Sequence, residues 1–488
     1  MLDILFSHSY FYRFDNKQWK NKTPYPPLGT IYAASYLRQQ GYSVSLFDTC
    51  LVDNPDEIQA ILKNQTPKLF AIYDDCFNYL TKMCLTKMRE AAFEMIQIAK
   101  NYECKVVVCS SDATDHYSDY LKFGADFIIQ GEGEETLKEL SDCVINKKSY
   151  TNVLGIVYKN DSDVIVNPKR QVIKALDTLP LPAWDLIDIE AYKAIWTSGN
   201  NKFTLNMVTT RGCPFKCNWC AKPIYGNRYN SHSVEYIVNH IAYLQKEFGV
   251  SKFWMCDDIF GLKPNWVQEF NKELKKKSLK IKYYIQSRVD LLLKEDTIDA
   301  LSDSGLEEVW VGAESGSQTI LDTMDKGTTV EQIYEATRLL KEKNIRIAFF
   351  IQFGYLGETK EDIDKTIQMI KELQPDNLGI SVSYPLPGTK FYEKVKDDLK
   401  LKANWTDSDD LAMMFQGTYH SKYYKKLHRY VHKEYRKSQA ISNFKLLFAK
   451  PKIVFNHTRL RSMFLYLYYV ITSEFYKVQL QKMQRSHA

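Results

Sequence analysis

Long apolar runs are missing from this sequence of 488 residues. No stretch approaches the ~18 consecutive apolar residues that a membrane helix needs, and no basic-then-apolar leader opens the chain. The expectation is a cytoplasmic protein. Cysteine is sparse and irregular: of ten residues, three are bunched between 213 and 220 and the others are scattered. That distribution excludes a regular disulfide framework and fits a reducing compartment with a metal or cluster site. Fixed-period repeats and low-complexity tracts are also absent. Acidic residues are nearly missing from one region. From Tyr419 onward there are 15 Lys and Arg against 2 Asp and Glu, leaving 50 against 57 for the rest, so the formal charge of +6 belongs to the tail.

What is present is ordinary globular stock. Apolar residues make up 45% and charged residues 25%, and 33 Tyr with 25 Phe suffice for aromatic-lined pockets as well as cores. A chain of this length implies two or three domains. Residues 1–145 alternate strand-like runs (Leu2–Phe6, Ser43–Phe47, Leu69–Tyr73, Lys105–Cys109, Ala125–Ile129) with amphipathic helical stretches such as Thr30–Gln40, ended by Gly41. That order implies an α/β domain with a doubly wound parallel sheet of Rossmann or flavodoxin type. Residues 146–198 hold two β-rich runs turning at Asn160-Asp161, then the stiff linker Leu179-Pro180-Leu181-Pro182-Ala183-Trp184. Residues 199–400 alternate six strand-like runs with helices: Phe203–Thr209, Lys252–Met255, Ile281–Gln286, Glu308–Gly312, Arg346–Phe353 and Leu378–Tyr384. This is the pattern of a partial (β/α)6 barrel, with active-site groups at the C-terminal ends of its strands. Residues 401–488 read as a basic, helical region.

Just after the first barrel strand stands Thr210-Arg211-Gly212-Cys213-Pro214-Phe215-Lys216-Cys217-Asn218-Trp219-Cys220. Three thiolates spaced C-x3-C-x2-C can ligate three irons of a [4Fe–4S] cubane and leave the fourth open for a substrate amine and carboxylate. The competing reading is a Cys3His zinc site completed by His232. Polar groups recur at the later strand ends: Asp257 and Asp258, whose alternative role is to cap the helix containing Trp266; Arg288, suited to a carboxylate or to a surface ion pair; Glu314-Ser315-Gly316-Ser317; and Gln352-Phe353-Gly354.

The cysteine spacing, with Trp219 before the last cysteine, resembles the signature of the radical S-adenosylmethionine (SAM) superfamily. The resemblance implies that the cluster cleaves SAM to a 5′-deoxyadenosyl radical. It also implies that Trp219 packs near the adenine and that Asp257, Asp258, Arg288, Glu314, Ser315 and Gln352 contact SAM. Tyr25-Pro26-Pro27-Leu28-Gly29-Thr30 and Gly124 to Thr136, with Gly131-Glu132-Gly133-Glu134, resemble the cobalamin-binding domain that precedes many such barrels. Cobalamin contacts then fall on Leu28, Gly29, Ser110, Ser111, Gly131 and Glu132. Asp257 to Pro264 and Asp409 to Phe415 resemble the group around the anaerobic magnesium-protoporphyrin monomethyl ester cyclase. Two departures stand out. Asp-x-His-x-x-Gly is absent, so no histidine of the usual kind is expected on cobalt, although His8 lies near the first strand end; and the small-residue turn usually written Gly-Gly-Pro is Cys109-Ser110-Ser111.

The resemblance implies a cobalamin-dependent C-methyltransferase, or an oxidative cyclase or rearrangement catalyst, acting on a largely apolar small molecule. An electron donor such as flavodoxin or ferredoxin would serve it. A methylthiotransferase would need a second cluster from Cys50, Cys76 and Cys84. A zinc-dependent nucleic-acid-binding protein would explain the basic tail but not the ordered strand ends, so nucleic acid is not the expected partner. The tail's interleaved aromatics (Phe464, Tyr466, Tyr468, Tyr469) suit either a helix packed on the barrel or a peripheral contact with acidic lipid or a partner protein.

Overall fold

Strands buried on both faces read as continuous apolar runs, and those runs place the first sheet. In the computed structural model, which describes residues 2–399, 405, 411–449 and 457–485, they are β1 (Ile4–Ser7), β2 (Val44–Phe47), β3 (Leu69–Tyr73), β4 (Lys105–Cys109) and β5 (Phe127–Ile129). All five are parallel in the order β2-β1-β3-β4-β5. That is the flavodoxin-type order, with its switch point between β1 and β3. Ser9 joins the loops there, donating its N–H and hydroxyl to Asp74 at 2.7 and 2.8 Å. The hairpin β6 (Ile156–Asn160) and β7 (Asp163–Val166) extends the sheet antiparallel beyond β5.

The proline linker is fixed at both ends. Ala183 N–H donates to the Ile31 carbonyl (3.0 Å), and the buried Trp184 indole donates to His240 of the barrel helix Val234–Phe248 (2.8 Å). Tyr25 packs on Trp254 with ring centroids 4.8 Å apart, and one continuous apolar core spans both halves.

The second sheet contains β8 (Leu205–Met207), β11 (Lys252–Met255), β12 (Lys282–Ser287), β13 (Leu306–Glu314), β14 (Arg346–Phe353) and β15 (Asn377–Val382). Its strands are parallel and ordered β15-β14-β13-β12-β11-β8, and β8 and β15 do not pair with each other. The barrel is therefore partial. A separate ladder joins β9 (Thr210–Arg211) to β10 (Asn230–Ser231).

In the tail, helix Ser421–Ala449 buries Tyr423, Tyr424, Leu427 and Val431, and Tyr435 donates its hydroxyl to the Pro375 carbonyl (2.6 Å) beyond barrel helix Lys360–Leu373. Helix Tyr466–Arg485 lies on Ser421–Ala449. Asp409 and Asp410 lie outside the described residues. No helix among those described is long and apolar enough to cross a membrane.

Candidate active site

The β9–β10 ladder pins both ends of the cysteine loop, with Arg211 opposite Asn230 and Thr210 opposite Ser231. Inside it, Lys222 Nζ donates to the Phe215 carbonyl (2.5 Å) and Asn227 (3.0 Å). Asn218 ties the loop to later strand ends: its N–H donates to the Met324 carbonyl (3.0 Å), its amide to the Thr323 carbonyl (2.7 Å), and its carbonyl accepts from Phe391 N–H (2.9 Å). Burial pushes the Cys213 thiol up and the Cys220 thiol up to about 11, with Lys222 pulling the other way. Such thiols hold their protons until a metal displaces them.

Gly212 sits in this loop at φ +81, and a Cβ there would stand 2.4 Å from the Arg228 carbonyl oxygen; Gly226, at φ +62, has nothing within 4 Å. Both positions carry the cost of a left-handed backbone, but only one carries a clash. Gly212→Ala is therefore expected to lose bound iron after reconstitution and to melt well below Gly226→Ala, as iron assay and thermal unfolding would show.

The zinc arrangement is not assembled among the described residues. His232 Nδ1 pairs with Asp177 Oδ1 (2.9 Å), its ring stacks on Tyr236, and it does not border the cysteines' cavity. Nor do the three sulfurs form a set within 4.8 Å of one another, whereas thiolates on one zinc, each ~2.3 Å from the metal, stand about 3.8 Å apart.

The C-terminal ends of both sheets face a cavity of about 660 Å³ bordered by Cys213, Cys217 and Cys220. Trp219, Asp258, Arg288, Glu314 and Gln352 line it, as does Ser111 from the first domain. Asp257 and Ser315 do not. Asp257 Oδ1 accepts both N–H and hydroxyl donors from Thr209 and Thr210 (2.5–3.2 Å), and burial pushes its carboxyl up to about 7. Ser315 is spent on Thr366 (3.0 Å). Neither aspartate caps the Trp266 helix, whose N-cap is Asn265.

Arg288 lines the cavity with its donors engaged: Asp290 (2.9 Å), the Lys326 carbonyl (2.9 Å) and the Gly327 carbonyl (3.3 Å), over the Phe215 ring at 3.8 Å. Glu314 occupies a left-handed conformation (φ +56) where the β13–β14 register shifts, and Lys326 Nζ holds its carboxylate at 2.8 Å. Backbone held this way at a bulge is a mark of functional sites. Trp219 Nε1 and Gln352 Oε1 are buried without a hydrogen-bond partner. Two orphaned polar atoms beside three thiols suit a polar ligand next to a cluster.

The remaining first-domain residues lie off the cavity. Leu28 is core, Gly29 packs against the Asp75 backbone, Ser110 caps Ala113 N–H (2.8 Å), and Gly131 faces the Ile224 carbonyl. Glu132 and Glu134 (2.7 Å) both bind Arg211, which is buried among Tyr32, Phe77 and Tyr225. Glu132 also accepts Ile173 N–H. His8 is spent on Asp48 (3.0 Å) and Thr49 (3.0 Å).

Residues 207–370 match the radical SAM superfamily. The chain is 30% identical over 387 residues to an uncharacterized methyltransferase of Pyrococcus horikoshii, covering 78% of this chain and 81% of that protein. It belongs to the radical SAM superfamily. An anaerobic magnesium-protoporphyrin IX monomethyl ester cyclase of Rubrivivax gelatinosus is 28% identical over 386 residues, covering 77% of this chain and 67% of the cyclase. The solved structure of OxsB, a cobalamin-dependent SAM radical enzyme with aqua-cobalamin bound, shares the fold. Its TM-score is 0.71 at 17% identity, over 100% of this chain and 81% of that one.

Beside the radical SAM motif, the cavity recruits residues that the sequence did not single out. Lys82 reaches Asp258 (2.6 Å) from the short helix Tyr79–Met83 after β3, and Arg89 pairs with Asp112. Tyr79 and His116 join them from the first domain, beside Cys76, which the sequence offered only for a second cluster, and Trp310 and Phe350 from the barrel, with ring centroids 4.7 Å apart. For the first-domain residues the one available signal was their position after β3 and β4, the ligand-binding side of such a sheet.

Proposed function

We propose that this radical SAM enzyme uses a [4Fe–4S] cluster on Cys213, Cys217 and Cys220 together with cobalamin, and methylates, cyclises or rearranges a largely apolar small molecule. The observation that carries the reading is the single cavity bordered by those cysteines on one side and by the loop ends of the flavodoxin-type sheet on the other. The bound groups supply radical chemistry at an unactivated carbon and, in the methylation case, a methyl carrier. The chain's own residues bind and orient. Trp219 and Gln352 offer an unspent donor and acceptor, Lys326 fixes the Glu314 carboxylate, and Asp258 is held by Lys82. Trp310, Phe350 and Tyr384 give the cavity aromatic walls that exclude water and favour an apolar substrate. Of the cysteines a methylthiotransferase would need for a second cluster, Cys76 borders the cavity while Cys50 and Cys84 do not. An external one-electron donor completes the scheme.

Anaerobic reconstitution tests the reading. One cluster per chain, formation of 5′-deoxyadenosine and retention of cobalamin on gel filtration are expected; two clusters per chain, or no retained cobalamin, would count against it. Because His8 is engaged elsewhere, electron paramagnetic resonance of the Co(II) form should lack nitrogen splitting from a protein ligand. Splitting that vanishes in His116→Ala would overturn the coordination claim, since His116 borders the cavity.

A further inference from the structure

Helix Tyr466–Arg485 buries Tyr469, Ser473 and Leu480 on one face. Its other face carries Leu467, Ile471, Phe475 and Val478, which are 69%, 69%, 56% and 47% exposed, and Phe464 just before it is 87% exposed. Positions 464, 467, 471, 475 and 478 recur at helical spacing, so these side chains form one stripe. Among the described residues no other element exposes more than two large apolar side chains. Cations border the stripe: Lys433 Nζ stands 4.2 Å from the ring of Tyr468, and Lys482 continues the row.

We propose that this stripe seats the protein on an anionic lipid surface, the helix lying in the interfacial plane. Only part of the basic tail serves it, because helix Ser421–Ala449 turns its own apolar face to the barrel. The charge selects the occupant. With 15 Lys and Arg against 2 Asp and Glu from Tyr419 onward, two copies meeting through this stripe would oppose like charges, whereas acidic headgroups complement them. Aliphatic Leu467, Ile471 and Val478 are interleaved with Phe464, Tyr468 and Phe475, a mixed apolar face that suits acyl chains better than an unbroken aromatic platform for stacked bases.

The test is sedimentation of the full chain with vesicles of phosphatidylcholine alone and of equal parts phosphatidylcholine and phosphatidylserine. Binding to the anionic vesicles is expected to exceed that to neutral ones at least tenfold, since each engaged cation multiplies partitioning roughly fivefold. It should collapse between about 0.1 and 1 M salt as the screening length shortens from about 10 to 3 Å. The double variant Ile471→Glu/Phe475→Glu changes exposed residues only, so it should keep the parent melting temperature and lose vesicle binding. Equal or negligible binding to both vesicle types would overturn the proposal. So would undiminished binding by the variant, or a two-chain mass by sedimentation velocity, without vesicle binding, that the variant reduces to one chain.

Discussion

Alanine at any one of Cys213, Cys217 or Cys220 is expected to abolish both the visible absorbance of the reconstituted protein and its cleavage of SAM. A cubane held by three thiolates has no spare protein ligand, so two remaining sulfurs leave two irons open to solvent. The nearest candidates are engaged elsewhere: Cys256 is buried behind β11, donating to the Met207 carbonyl at 2.9 Å, His232 is paired with Asp177, and Cys76, on the cavity border, turns its thiol to the Asp74 carbonyl (3.4 Å). Loss of 5′-deoxyadenosine by several orders of magnitude, with the far-UV spectrum retained, is the expected result for all three variants. Normal product formation by any one of them would sink the cluster assignment.

The second large effect lies at the seam between the domains. Arg211→Met should destabilise the protein by about 3–5 kcal/mol, because it leaves two buried carboxylates facing one another without a counter-charge. Burial already pushes the Glu132 carboxyl up against the pull of Arg211, so the arrangement tolerates the loss of the guanidinium poorly. Replacing all three partners, as Arg211→Met/Glu132→Gln/Glu134→Gln, should recover most of that loss, since uncharged groups of similar volume need no compensating charge. Urea unfolding of both variants checks the ordering. A triple variant no more stable than Arg211→Met would show that the cost resides in packing among Tyr32, Phe77 and Tyr225 rather than in the unpaired charges.

Much of the fold is legible in the sequence because buried parallel strands are written as apolar runs. β3, β4, β11 and β14 match their expected ranges, and the other expected strands of the two sheets differ by one or two residues at an end. Strand order is not written that way, and the flavodoxin-type order emerges only from pairing. The placing of the motif cysteines is equally legible: they follow the first barrel strand, and all three border the cavity. What periodicity cannot show is which of two neighbouring polar side chains turns into a cavity. Asp257 and Asp258 are adjacent, yet one braces Thr209 and Thr210 while the other faces the cysteines. Glu314 and Ser315 divide in the same way because the irregular β13–β14 register rotates the strand end. Glu132 illustrates a different obstacle: its partner Arg211 is 79 positions away in another domain, and only the docking of the two sheets brings them together. Lys82 was hidden for the same reason, its partner Asp258 lying 176 positions away.

Among the described residues the outer edges of β8 and β15 pair with no strand, and the hydrogen bond from Phe391 N–H to the Asn218 carbonyl crosses from the helix after β15 to the cysteine loop after β9. That bond acts as a clasp across a split ring. While it holds, the cysteine loop and the far rim move together. Widening the barrel's mouth therefore has to break that bond, a net cost of about 0.5–1.5 kcal/mol, so the fit of a bulky substrate and the position of the cysteine loop are coupled by that much.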